Sequence, residues 1–264
     1  MENFPSDVRR AYQDLAEDPK YQHFVRIPER ILRCLDYFGV ACKREETRDR
    51  LLSYYLFIGV VDSAIDSGHV EGGERILTQL SSRAHFPDAE IESVRLATSV
   101  LKSQISDDSY PLMMSGFQEL YREVVGERQS KSIDAYIVSR QAVGRLTAEL
   151  SYLLMRPSLA IEHECLCQFM KQVGEVGCLV DSLIDLNADR RLGLLMFKPS
   201  WTDRLKLVAA TVQRGLSVLL KHPGLSGLFL QAVCDNFRDR FSQSRRPDAH
   251  YTASDRKGAA ASVA

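Results

Sequence analysis

The sequence predicts an all-α chain of eight or nine helices, and three observations carry that prediction. Gly (15) and Pro (9) are scarce and fall between periodic segments rather than inside them. Apolar residues recur at spacings of three and four over long stretches, as on the buried face of a helix. Strand signals are nearly absent: there is no Asn-Gly or Asp-Gly hairpin and no sustained alternation of apolar and polar residues.

Taken in order, Ile27, Ile31, Leu32, Leu35 and Phe38 form one face of a helix that opens at Pro28, where a missing N–H costs nothing. A helix over 45–67 contains the apolar run Tyr54 to Val61 and stops at Ser67-Gly68. Periodic segments at 73–83 and 88–106 are separated by Phe86-Pro87, and 112–128 follows Tyr110-Pro111. The segments 131–155 and 159–188, divided by Arg156-Pro157, are apolar around much of their circumference, which places them at the centre of a bundle. Lys198-Pro199-Ser200 and His222-Pro223-Gly224 bound the last two, 201–221 and 225–245. No internal boundary stands out, so residues 1–246 read as one helical domain. The remainder, 247–264, is small, polar and aperiodic, and is expected to be a disordered tail.

Lys and Arg total 34 against 35 Asp and Glu, a net charge of −1 that argues against a nucleic-acid partner. No apolar run reaches the roughly 18–20 residues that span a bilayer. The start, MENFPSDVRR, lacks the apolar core of a secretory signal. These features lead us to expect a soluble cytoplasmic protein, monomeric or homodimeric. The six cysteines show no CxxC pair. Cys165 and Cys167 beside His163 fall short of the four ligands of a structural zinc site, so free thiols are expected. His69 and His85 are given no role, and the basic run Arg238 to Arg246 reads as a solvated helix end.

The most informative feature is an echo: Val-Asp-Ser-x-Ile-Asp occurs at 61–66 and again at 180–185. Each copy follows an apolar helical stretch. Residues four apart share a helix face about 6 Å apart along the axis. Asp62 with Asp66 therefore makes one carboxylate stripe, and Asp181, Asp185 and Asp189 make another. Like charges at that spacing destabilise a helix by a few tenths of a kcal/mol, more when half buried. A divalent cation removes the conflict. Mg²⁺ takes one or two carboxylates and completes its shell with water and phosphate oxygen. The 123 residues between Asp62 and Asp185 (185 − 62) allow two central helices to face each other. Arg190 and Arg191 follow the last aspartate, and a planar guanidinium suits phosphate oxygens.

The pairing of a DxxxD helix with a later (N/D)xxxDxxxD helix resembles the class I isoprenoid synthase superfamily. Within it, Val173-Gly174-Glu175 through Asp189 is similar to the corresponding region of squalene and phytoene synthases. The string from Leu179 to Arg190 is more similar still to that of bacterial tetraprenyl-curcumene synthase-type terpene synthases. The resemblance spans about residues 27–200. It implies an α-helical bundle around an apolar cavity, three Mg²⁺ ions and ionisation of an allylic prenyl diphosphate. By matched position it implies Asp62 and Asp66 as metal ligands on one wall and Asp181, Asp185 and Asp189 on the other. It also implies diphosphate contacts from Arg140 and Arg145, beside those expected of Arg190.

Three positions depart from the squalene-type pattern. Gly59 and Ile184 stand where that branch has arginine, and Tyr136 to Gly144 lacks its VAG element while keeping Val143-Gly144. These losses favour a terpene cyclase using one diphosphate over a condensing enzyme, and the two intact aspartate stripes favour it over a non-catalytic scaffold. A cation generated in such a cavity is stabilised by aromatic faces. Tyr55 and Tyr136 are the leading candidates among Tyr54, Phe57, Phe117, Tyr121, Tyr152 and Phe169. Gly144 is expected to permit close helix packing or a kink.

Overall fold

The computed structural model describes residues 4–66, 76, 80, 92–192 and 195–244, and these are helical almost throughout. Nine helices of 11 to 29 residues and one four-residue helix occur among the described residues. They are α1 (Ser6–Glu17), α2 (Gln22–Val25), α3 (Ile27–Tyr37), α4 (Arg44–Asp66) and α5 (Glu92–Gln104). After them come α6 (Tyr110–Arg128), α7 (Ile133–Met155), α8 (Glu164–Leu192), α9 (Trp201–Lys221) and α10 (Ser226–Ser244). The chain is all-α. Among the described residues the only β pairing is the lone bridge of Cys42 with Leu159.

Local chemistry explains the ends. Pro28 and Pro111 sit in the first turns of α3 and α6, where a helix has spare N–H groups. Ser132 caps α7 by accepting the Ala135 N–H, and Ser200 with Asp203 forms a reciprocal capping box on α9. Helix α3 closes at Gly39, whose φ of 66° only glycine adopts freely. There Val40 N–H reaches Leu35 O and Gly39 N–H reaches Asp36 O, the paired bonds of a Schellman turn.

One expectation needs correction. Residues 159–163 are not helical: Pro157 ends α7 in a 3₁₀ turn, and Leu159 is extended. Ala160 N–H then bonds Ala41 O and Lys43 N–H bonds Ser158 O, which ties this reversal to the start of α4. Helix α1 adds to the predicted set: Val8, Ala11, Tyr12, Leu15 and Ala16 keep helical spacing along it, and Tyr12 is its buried residue. Most of the expected helix 73–83 lies outside the described residues, although Ile76 and Leu80 are helical and buried. The breaks at Ser67-Gly68 and Phe86-Pro87, His69, His85 and the tail 247–264 also lie outside them.

Helices α4, α7 and α8 form the middle of the bundle. Leu51, Tyr54, Leu56, Phe57 and Val60 of α4 are buried on every side, so the run at 54–61 is central. Helix α8 packs most extensively on α7. Their backbones touch at two glycines: a Cβ on Gly144 would stand 2.1 Å from Gly174 O, and one on Gly174 2.2 Å from Gly144 O. No side chain fits there.

Candidate functional site

Inside the bundle lies a cavity of about 470 Å³. Its deep walls are apolar and aromatic, with Tyr55 and Phe57 from α4, Phe117 from α6, Val143 from α7, and Phe169 and Met170 from α8. Phe57 and Phe117 meet edge to face at 5.6 Å, an arrangement their ring quadrupoles favour. The same cavity is also lined by Asp62 of α4, Glu127 and Arg128 of α6, Arg140 of α7, and Asp181, Asp185 and Asp189 of α8. Asp62 is exposed and the three α8 aspartates are half-buried, so this charged part opens to solvent.

The two echoing segments are thus brought to one space from two helices. Four of the five candidate aspartates, Asp62, Asp181, Asp185 and Asp189, line it together. Asp66 ends α4, and its side chain lies outside the described ones. Carboxylate oxygens, one side chain from α4 and three from α8, are hard donors of the chemical type Mg²⁺ takes, with water and phosphate supplying the rest. Among the described residues no three or more His, Cys, Asp or Glu side chains stand close enough together to hold a metal ion. The six cysteines are free thiols, and His163 Nδ1 accepts the Leu166 N–H.

The arginines separate into two groups. Arg140 faces the cavity and is held by four bonds: Nε donates to Ser182 Oγ (2.9 Å), Nη1 to both oxygens of Glu127 (3.3 and 3.2 Å), and Nη2 to Cys178 O (3.3 Å). Burial works against its charge, but Glu127, with smaller help from Cys178, Tyr136 and Asp181, holds its pKa above the ordinary value. Arg145 does not line the cavity; it is half-exposed and lies 4.0 Å from Glu175. Arg190 is exposed and likewise off the lining, and the Arg191 side chain lies outside the described ones.

The aromatic candidates divide as well. Tyr55, Phe57, Phe117, Tyr121 and Phe169 line the cavity. Tyr55 is buried with its hydroxyl donating to Ser151 Oγ at 3.2 Å, and burial pushes its pKa up to about 12. Tyr136 stands behind the wall in a second apolar cluster with Leu179, Leu186 and Leu207. Its hydroxyl donates to Ser182 Oγ at 3.1 Å, so it braces the serine that holds Arg140. Tyr54 and Tyr152 also lie off the lining; Tyr54 donates to Thr147 O.

Three functional neighbours escape a reading of the sequence: Glu127, Ser182 and Phe24. Nothing about Glu127 in the last turn of α6 signals its pairing with a residue on the next helix. Ser182 lies inside the echo but carries no charge. Phe24 lies against Gly59, where a Cβ would come within 2.4 Å of its ring. Any larger residue at 59 requires that ring to move. Comparison of the chain with protein-family models, curated proteins and solved structures found no match.

Proposed function

We propose that the chain is a Mg²⁺-dependent class I terpene synthase that ionises one allylic prenyl diphosphate and releases diphosphate and a terpene. The observation that carries this reading is the meeting of Asp62 with Asp181, Asp185 and Asp189 on one aromatic-lined cavity. Asp62 and Asp66 would hold metal from α4, and the α8 aspartates from the opposite side. Bound there, Mg²⁺ supplies charge neutralisation that makes diphosphate a better leaving group.

The remaining work falls to the protein's own groups. Arg140, oriented by Glu127 and Ser182, presents a fixed guanidinium to phosphate oxygens. The C–O bond breaks with its electron pair leaving on diphosphate, and the allylic cation stays among Tyr55, Phe57, Phe117 and Phe169, whose ring faces stabilise positive charge. Apolar walls keep water from that cation until it passes a proton to the released diphosphate and becomes an alkene. The absence of arginine at Gly59 and Ile184 supports a single-substrate reaction, because cationic partners for a second diphosphate are missing there.

Incubation with single C10 to C25 prenyl diphosphates and Mg²⁺, followed by extraction and mass analysis, tests the reading. Cyclic or linear hydrocarbons from one substrate, dependent on Mg²⁺ and lost in D62A, are the expected result. Condensed C30 or C40 products alone would assign a squalene or phytoene synthase-type prenyltransferase instead. No turnover together with no Mg²⁺-dependent diphosphate binding would indicate a scaffold.

A further inference from the structure

Helix α9 is apolar on two sides. Leu207, Thr211, Gly215 and Val218 are buried against the bundle. On its outer side Trp201, Leu205, Val208, Val212, Leu216 and Leu220 are exposed, from 42% at Val208 to 81% at Leu220. Their spacing of four, three, four, four and four keeps them in one stripe along the helix. Together they expose roughly 600 Å² of apolar surface, at the upper limit of what a monomer usually shows. A standard interface buries about 800 Å² per partner including its polar rim, so this stripe is the right size for an interface centre.

The stripe is also close to palindromic. About a point between residues 210 and 211, position 201 mirrors 220, 205 mirrors 216, and 209 mirrors 212. An antiparallel copy therefore sets Trp201 against Leu220, Leu205 against Leu216, and the small exposed Ala209 against Val212. A two-fold interface must be self-complementary, each residue meeting its mirror position on the copy, and of the stripe only Val208 meets a polar one, Gln213. Contact along the whole stripe requires helices within about 20° of antiparallel, as in ordinary bundles.

We propose that this face of α9 is a homodimer interface, in which two copies of the helix pack antiparallel about a two-fold axis beside residues 210 and 211. The flanks favour a protein partner over a lipid surface. A membrane-surface helix presents its Lys and Arg to lipid headgroups. Here Lys206 is bound to Asp134 at 2.8 Å, Arg214 lies 3.6 Å from Glu175, and Arg204 donates to Asn187. The chain's own end is a poor cover, since 247–264 contains no Leu, Ile, Met, Phe or Trp.

Sedimentation or light scattering of the full chain at micromolar concentration tests the proposal. The expected mass is twice the 29.8 kDa of the chain. L216E and L205K should each weaken the dimer about 100-fold or more while leaving the circular dichroism spectrum unchanged. Mixing L205K with L216E should restore a dimer, because the register sets the lysine beside the glutamate. Mixing L205K with L220E should not. A monomeric wild type overturns the proposal, as does a dimer that survives L216E in a folded chain. So does a monomer that floats with anionic vesicles and loses that binding in L216E.

Discussion

Replacing Gly144 by alanine tests the packing that holds the site together. The new Cβ would stand 2.1 Å from Gly174 O, whereas ordinary contact is about 3.4 Å, so α7 and α8 must part by about 1 Å. A gap of that size forfeits a quarter to a half of the dispersion energy along the contact, and overpacking of this kind costs about 1–3 kcal/mol or more. Because the obstructing atom is backbone, the upper end applies. Alanine's better helix propensity returns about 1 kcal/mol. The net loss is about 2–3 kcal/mol, a fall in Tm of about 5 °C for a chain this long. Gly126 is the control: it lies within α6 with nothing within 4 Å of a Cβ, so G126A should gain up to about 1 kcal/mol. Thermal unfolding by circular dichroism measures both. Activity should fall in G144A as well, since α7 carries Arg140 and α8 carries Asp181. A G144A chain as stable as wild type would refute the glycine-to-glycine crossing.

Removing Glu127 should expose how Arg140 is held. E127A leaves a largely buried guanidinium without its carboxylate and should cost about 2 kcal/mol in urea unfolding, with E127Q milder. Alkaline pH should weaken the fold. Burial pushes Cys34 and Cys178 up to about 12 from 9.0, and Tyr55 and Tyr136 up to about 12 from 10.0. Above pH 9 the unfolded chain therefore releases protons that the folded chain keeps. The stabilisation is complete below pH 9 and is lost as pH rises toward 12, so Tm should fall steadily over that window; a flat profile would contradict the burial of these groups. For the same reason Cys178 should resist iodoacetamide at pH 8, while the exposed Cys165 and Cys234 react, as peptide mass mapping would show.

The fold was legible because helices leave a local signature. Apolar spacing and the positions of Pro and Gly place α4, α7, α8 and α9 within a few residues of where they lie. Helix α1 carries the same signature, with Val8, Ala11, Tyr12, Leu15 and Ala16 on one face, and its absence from the predicted segments is no lack of signal. The non-helical piece at 159–163 was hidden, because the bonding of Ser158 and Ala160 with residues 41–43 is a tertiary event. The same division runs through the site. Aspartates four apart announce a shared face, and Asp181, Asp185 and Asp189 do line one cavity, together with Asp62 of the other stripe. Which face of a helix looks inward is decided by its neighbours, so Tyr136 and Arg145 could not be separated from Tyr55 and Arg140 by spacing alone. Glu127 and Ser182 matter only through what stands opposite them. The outer stripe of α9 was visible as apolar periodicity, but only the burial of Leu207, Thr211 and Val218 shows that a second apolar face is left over.

The central claim is that Mg²⁺ and diphosphate are held between two acidic walls, one on α4 and one on α8. Calorimetric titration of inorganic diphosphate into the wild-type chain, with and without Mg²⁺, tests it most directly when repeated on D62N and D185N. The account predicts binding only when Mg²⁺ is present, and loss of at least about 10-fold in affinity from either substitution, because each removes charge from a different wall. Diphosphate binding that ignores Mg²⁺, or that is unchanged in both variants, would contradict it.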